Sequence, residues 1–342
     1  MRIFCRLIVS TCILFVSLMA FSAPSFAEKK DQAALDKARM DLYVQMEQLY
    51  AIPWYYVAAI DQYERTMIRK KKGAKKAAPQ PSTDRVTSIT IPPEKWSGFF
   101  NPEDDDYDEA SITFFEGIGK DGSGDQRADQ SNDLDVLTTL TKYLAAYGFS
   151  REDFRIGLWN YYKKDLAVRT IDQFARIYEK FGRLDLHQHA FPIPARYDCS
   201  YNNTWGDARG WGGRRIHEGT DIFADYGTPV LSTGYGVVEV VGWNRYGGWR
   251  IGMRDMDNVY HYLAHLSSFR KGLKPGEIVE PGQVLGYVGS SGYGKPGTSG
   301  KFPPHLHYGM YRDMGNEEWA FDPYPYLKRW ERQKVRSVKK TQ

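Results

Sequence analysis

Five side chains in the last third of the chain could do chemistry together: His217 and Asp221 in H-E-G-T-D, His265 in L-A-H-L, and His305 and His307 in H-L-H. Imidazole nitrogens and a carboxylate oxygen are donors that zinc prefers. A catalytic zinc uses three protein ligands and leaves a fourth position for water. Alternate residues of a strand point the same way, so His305 and His307 share one face. His217 and Asp221 would share a face on a helix, but Gly219 and the surrounding β pattern favour a strand end or loop. Zinc brings the pKa of its water down to ~7, which supplies hydroxide near neutral pH and polarises a carbonyl. A neutral imidazole can accept that water's proton and return it to a leaving amine, and a protonated one can steady an oxyanion. The predicted chemistry is metal-assisted hydrolysis.

Two kinds of element must position these groups. Residues 28–69 carry Leu35, Met40, Leu42, Met46 and Leu49 at helical spacing, and Pro53 suits the first turn of a second helix. Residues 136–147 and 170–181 read as amphipathic helices, with Gly148 and Gly182 as stops. Near residue 183 glycine becomes frequent and apolar residues alternate or run in short bursts. G-V-V-E-V-V-G-W and V-L-G-Y-V are examples, and I-V and V-L-G-Y-V flank the turn at Pro281-Gly282. The expectation is an α+β chain: a helical domain at 28–182, a β-rich domain at 183–327, and a basic tail at 328–342, frayed after Trp330.

The remaining features bound the function. Arg2 and Arg6, the apolar stretch Leu7 to Phe21 and Ser25-Phe26-Ala27 read as an export signal at residues 1–27, cut after Ala27. The net charge is +4, and it falls to +2 once the two leader arginines are gone, too mild to imply nucleic acid. Cys5 and Cys12 leave with the leader, so Cys199 has no partner for an internal disulfide and any metal must be held by histidine and carboxylate. Residues 69–82, rich in Lys, Ala and Pro, read as an exposed loop. D-G-S-G-D-Q-R-A-D at 121–129 resembles half of a calcium loop, but Asn132 stands where a full loop requires Glu. His187 and His189 form a second H-x-H that is read as linker, and His261 is read as structural.

G-R-R-I-H-E-G-T-D, L-A-H-L and P-P-H-L-H-Y-G together resemble the lysostaphin/LytM-type zinc endopeptidases, which cut peptides in bacterial cell walls. The resemblance spans residues ~205–325. It implies an antiparallel β-sheet sandwich with an open groove, one Zn²⁺ held by His217, Asp221 and His307, and His265 and His305 as catalytic histidines. It implies peptidoglycan as substrate. Where the family often has Tyr two residues before the position of His265, this chain has Leu263, with Tyr262 beside it. Tyr293, Trp211 and Trp249 are candidates for the groove wall. The helical half resembles a lysozyme-like lytic transglycosylase domain in I-P-W-Y-Y-V-A-A-I-D-Q-Y-E-R, where Glu64 matches the glycan-site acid. Its S-G-F-F-N-P at 97–102 replaces a stretch that helps form the sugar site, so a degenerate domain that binds glycan or packs on the peptidase is expected. With its leader, the whole arrangement resembles sporulation L-Ala–D-Glu endopeptidases. The alternatives are a non-catalytic activator of other hydrolases and a bifunctional hydrolase.

Overall fold

The computed structural model describes residues 26–73, 85–210, 215–315 and 317–333. Most of the stretch expected as a leader, the greater part of the Lys/Ala/Pro-rich stretch, and Trp211 lie outside the described residues.

Among the described residues seven helices come first: α1 (Phe26–Tyr50), α2 (Trp54–Gly73), α3 (Pro93–Trp96), α4 (Glu109–Phe114), α5 (Asp133–Ala145), α6 (Arg151–Tyr162) and α7 (Asp165–Phe181). Their ends follow from local chemistry. Asn132 accepts from Leu134 N to start α5, and Ser150 with Asp153 forms a reciprocal cap on α6. Gly182 ends α7 at φ 64°, a backbone state that costs glycine little. α2 continues through Gly73, so the stretch expected as a loop from residue 69 begins as helix. In the acidic segment, Asp121 accepts from Gly124 N and Gln126 N, and Asp135 accepts from Gly122 N, Ser123 N and Asp129 N. Those carboxylates brace the loop's own backbone.

Twelve strands follow among the described residues: β1 (Cys199–Ser200), β2 (Ala208–Arg209), β3 (Arg215–Ile216), β4 (Thr220–Ala224), β5 (Pro229–Leu231), β6 (Gly236–Asn244), β7 (Gly248–Asp255), β8 (Val259–Phe269), β9 (Ile278–Val279), β10 (Val284–Val288), β11 (His305–Asp313) and β12 (Glu318–Phe321). All but β2 and β3 join one antiparallel sheet in the order β1-β4-β11-β8-β7-β6-β9, with β12 on β11 and β10 bridging β8 to β5. Helices in the first half and antiparallel strands in the second make the chain α+β.

The sheet buries Ile222, Val238, Ile251, Leu263, Leu285 and Leu306 on its core side. A last helix, α8 (Tyr324–Arg332), closes that core with Leu327 and Trp330, both buried. The tail expected at 328–342 therefore starts as packed helix: Trp330 lies three residues after Leu327, on the same face.

The two halves share apolar packing, since Tyr235, Val237 and Met256 belong to the cluster built by the helices. Polar contacts reinforce it. Gln62 Nε2 donates to Met256 O at 2.6 Å, Gln173 Nε2 donates to Glu239 at 2.9 Å, and Lys164 Nζ pairs with the buried Asp313 at 2.8 Å.

Candidate metal centre

The central strand β11 lies between β4 and β8, and this order assembles the site. Antiparallel register sets His307 opposite Asp221 on one side and opposite Ala264 on the other. Directly opposed residues of an antiparallel pair project to the same face, so the imidazole and the carboxylate meet. His217 arrives from the segment just before β4.

The three expected ligands converge. Asp221 Oδ1 is 3.0 Å from His217 Nε2 and 3.0 Å from His307 Nδ1, and those two nitrogens are 2.9 Å apart. Ligand atoms ~2.0–2.1 Å from a tetrahedral zinc stand about 3.3 Å from one another, so the triangle is close to the size a zinc ion demands. The tautomers fit too. A carbonyl only accepts, so His217 Nδ1–H donates to Thr204 O at 2.7 Å and leaves Nε2 as the ligand atom. The donor set fits a metal ion.

Two supporting residues carry no signal of their own in the sequence. Thr204 Oγ1 accepts from Asp221 N while its carbonyl orients His217, so one residue positions two ligands. Arg209 Nη2 donates to Asp221 Oδ2 at 2.6 Å, leaving Oδ1 turned toward the histidines. Burial alone would raise the Asp221 pKa. Hydrogen bonds and charge from His217 and His307 outweigh it and hold this carboxyl far below the usual range.

His265 and His305 complete the floor, with ring centroids 4.8 Å apart. His265 Nδ1–H donates to Ser291 O and His305 Nδ1–H to Pro303 O, each at 2.8 Å. Both rings are thereby fixed in the tautomer with an unprotonated Nε2, and that of His305 is 3.8 Å from Asp221 Oδ1. Burial, then the neighbouring His307 and His305, pushes the His265 pKa down to about 3, and burial lowers that of His305. Both are neutral bases at pH 7.

A bulge decides which residues of β8 face the groove. Trp249 pairs with Leu266 and Ile251 with Leu263, so β8 holds one residue more than β7 between those pairs. His265 takes φ 63° there. The extra residue shifts the alternation, so Tyr262 and His265 both face the groove while Leu263 and Leu266 stay in the core. Tyr262 thus holds the wall place left open by Leu263, its ring centroid 5.9 Å from that of His307.

The groove has a volume of about 1090 Å³, and Arg215, Tyr246, Arg250, Tyr262, Tyr293 and Phe302 form much of its wall. Tyr293 lies parallel to His265 and accepts from Arg215, as a wall residue should. Trp249 does not line the groove. It packs edge-on against Phe269 and Trp243 at the margin of the core. Glu64 lies apart from this groove, where it accepts from Tyr162 OH at 2.7 Å. His261 is buried between Asp255 and Tyr308, a structural place.

The chain is similar to known proteins. An L-Ala--D-Glu endopeptidase of Bacillus subtilis is 55% identical over 326 residues, 95% of this chain and 98% of the relative. Lysostaphin of Staphylococcus simulans is 36% identical over 115 residues, 33% of this chain and 22% of the relative. The solved lysostaphin structure from that organism covers 44% of this chain and 57% of its own, at 30% identity and a TM-score of 0.35. Residues 215–323, which hold all five groups of the site, match Peptidase family M23. With its ligand triangle, flanking neutral histidines and near full-length relative, the chain is a metallopeptidase of family M23.

Proposed function

We propose that this peptidase is an exported zinc enzyme that hydrolyses the L-Ala–D-Glu bond of peptidoglycan stem peptides during spore cortex maturation. One observation carries the reading: His217, Asp221 and His307 form a metal-sized triangle on the floor of an open groove, with two neutral imidazole nitrogens beside it. The choice of bond follows the Bacillus subtilis relative, which aligns along nearly its whole length. The leader-like start, with Arg2, Arg6 and the apolar run to Phe21, supports export. No helix among the described residues is long and apolar enough to cross a membrane.

When bound, zinc supplies Lewis acidity, which polarises a carbonyl and acidifies water. The protein's own residues do the rest. His265 and His305 offer Nε2 as proton acceptors, and the one that has taken a proton can return it to the leaving amine or donate to the developing oxyanion. Arg209 keeps Asp221 turned inward. Stem peptides carry carboxylates. Arg215 and Arg250 line the groove, where a guanidinium can pair with a substrate carboxylate.

The helical half is proposed as a degenerate lysozyme-like domain that holds glycan beside the peptidase, and the branch of the sheet at β8 as the fold-over of a two-layered sandwich. Complete retention of the ligand set favours catalysis over a purely activating role. Purified peptidoglycan digested with the enzyme should yield new amino termini at D-Glu, read by mass spectrometry, and His307→Ala or chelation should abolish them. New termini at another bond would refute the specificity. Anhydro-muropeptides that vanish on Glu64→Gln would establish a second, glycan-cleaving activity.

A further inference from the structure

All the histidines outside the groove converge at a second place. His187 and His189 stand in extended chain after α7, and β7 ends at Asp255, two residues before Asp257 in the turn to β8. His-x-His meets Asp-x-Asp there. His189 Nε2 is 3.3 Å from Asp255 Oδ2 and 3.8 Å from Asp257 Oδ2. One ligand atom from each of these three residues lies within 4.8 Å of the others, which is not so elsewhere among the described residues except at His217, Asp221 and His307. We propose that His189, Asp255 and Asp257 form a second divalent-metal site of the zinc class, structural in role, with His187 as fourth ligand.

The chemistry of the donors supports that class. The first separation equals the edge of a zinc tetrahedron, about 3.3 Å, and the second exceeds it by about 0.5 Å. Two imidazoles and two carboxylates suit zinc rather than calcium or magnesium, which take oxygen ligands. His187 Nδ1, 3.1 Å from Asp257 Oδ1, is half-exposed on a cavity of about 390 Å³ and has room to turn inward. Neutral imidazoles with two carboxylates sum to two negative charges, which a divalent ion would cancel.

The surroundings are organised as metal sites require. The His189 ring lies flat on Trp330 of α8, with centroids 4.9 Å apart and planes 5° from parallel. Asp255 Oδ1 accepts from Asp257 N and Val259 N, each at 2.9 Å, and His261 holds Oδ2 at 2.8 Å. Burial opposes ionisation of Asp255, but His261 and His189 outweigh it and hold its pKa well below the usual carboxylate range. The same turn is gripped by α2, through Gln62 on Met256 O and Asn258 on Thr66. An ion here would tie the segment after the helical half to the turn on which that half rests.

The site is independent of the groove, so its test separates from that of the peptidase. Full-length enzyme equilibrated with zinc and freed of excess metal should carry about two ions per chain by elemental analysis. His189→Gln combined with Asp257→Asn should leave about one, with peptidase activity within about twofold of wild type. His307→Ala, which leaves this cluster intact, should also retain about one, and its Tm should rise by ~5 °C or more on adding zinc. That arm stands even if the double variant does not fold. The proposal is overturned if His307→Ala binds no zinc, or if the double variant folds and keeps the wild-type metal content. In either case the cluster is an ion pair held by protonated histidine.

Discussion

Gly219 offers a sharp test of how the metal triangle is held. Its φ is not in the left-handed region, so alanine there carries no backbone penalty and any effect is steric. A Cβ at this position would lie 2.5 Å from His307 Cε1, 2.8 Å from His307 Nε2 and 2.8 Å from Tyr308 O. Ordinary Cβ contacts begin near 3.4 Å. The ring must therefore retreat by about 1 Å, because the Tyr308 carbonyl belongs to the ladder between β11 and β4 and yields less. A shift of that size at a reacting centre costs roughly a hundredfold in rate, or about 2.7 kcal/mol. Overpacking adds a stability loss of about 1–3 kcal/mol. Gly219→Ala should thus lower kcat on purified muropeptides about a hundredfold and weaken zinc retention on dialysis. Gly242→Ala is the control, since a Cβ there meets nothing within 4 Å. If Gly219→Ala keeps kcat and metal content within twofold of wild type, close approach of the backbone is not what seats His307.

Three further outcomes are expected. Arg209→Met removes the 2.6 Å contact that orients Asp221 and should weaken zinc affinity about 10–100-fold in a competition titration with a chelator, with little change in Tm. Arg250→Met should raise KM for stem peptides about tenfold with kcat nearly unchanged, since the proposed contact binds substrate in ground and transition states alike; a fall in kcat alone would point to a different role. Lys164→Met removes an ammonium from a fully buried carboxylate where α7 begins and β11 ends. Stability to urea should fall by about 2 kcal/mol or more, and an unchanged midpoint would mean that Asp313 does not depend on that pair.

Much of the site was legible because its chemistry is local. H-x-x-x-D and H-x-H each carry their ligands within one stretch, and a period of two is enough to set His305 and His307 on one face. The helix stops were similarly local, as Gly182 illustrates. What escaped depended on partners remote in sequence. Trp249 looked like a wall residue until Phe269 and Trp243 claimed it for the core margin. The packed helix at Tyr324–Arg332 escaped because the burial of Leu327 and Trp330 needs a sheet to pack against. His187 and His189 looked like linker because Asp255 and Asp257 lie about seventy residues on. Thr204 works mainly through its carbonyl, which no residue type announces.

The amino-acid order alone determined the donor types, the class of metal they suit and the division into a helical half and a β-rich half, since these follow from side-chain chemistry and short-range periodicity. Only the tertiary structure decided which donors meet. Antiparallel register, not spacing, sets His307 beside Asp221 across 86 positions. A single extra residue in β8 brings His265 to the groove, where strict alternation would have sent it to the core with Leu263. Pairing between strands and the parity of a bulge are set by long-range packing, and a one-dimensional pattern does not contain them.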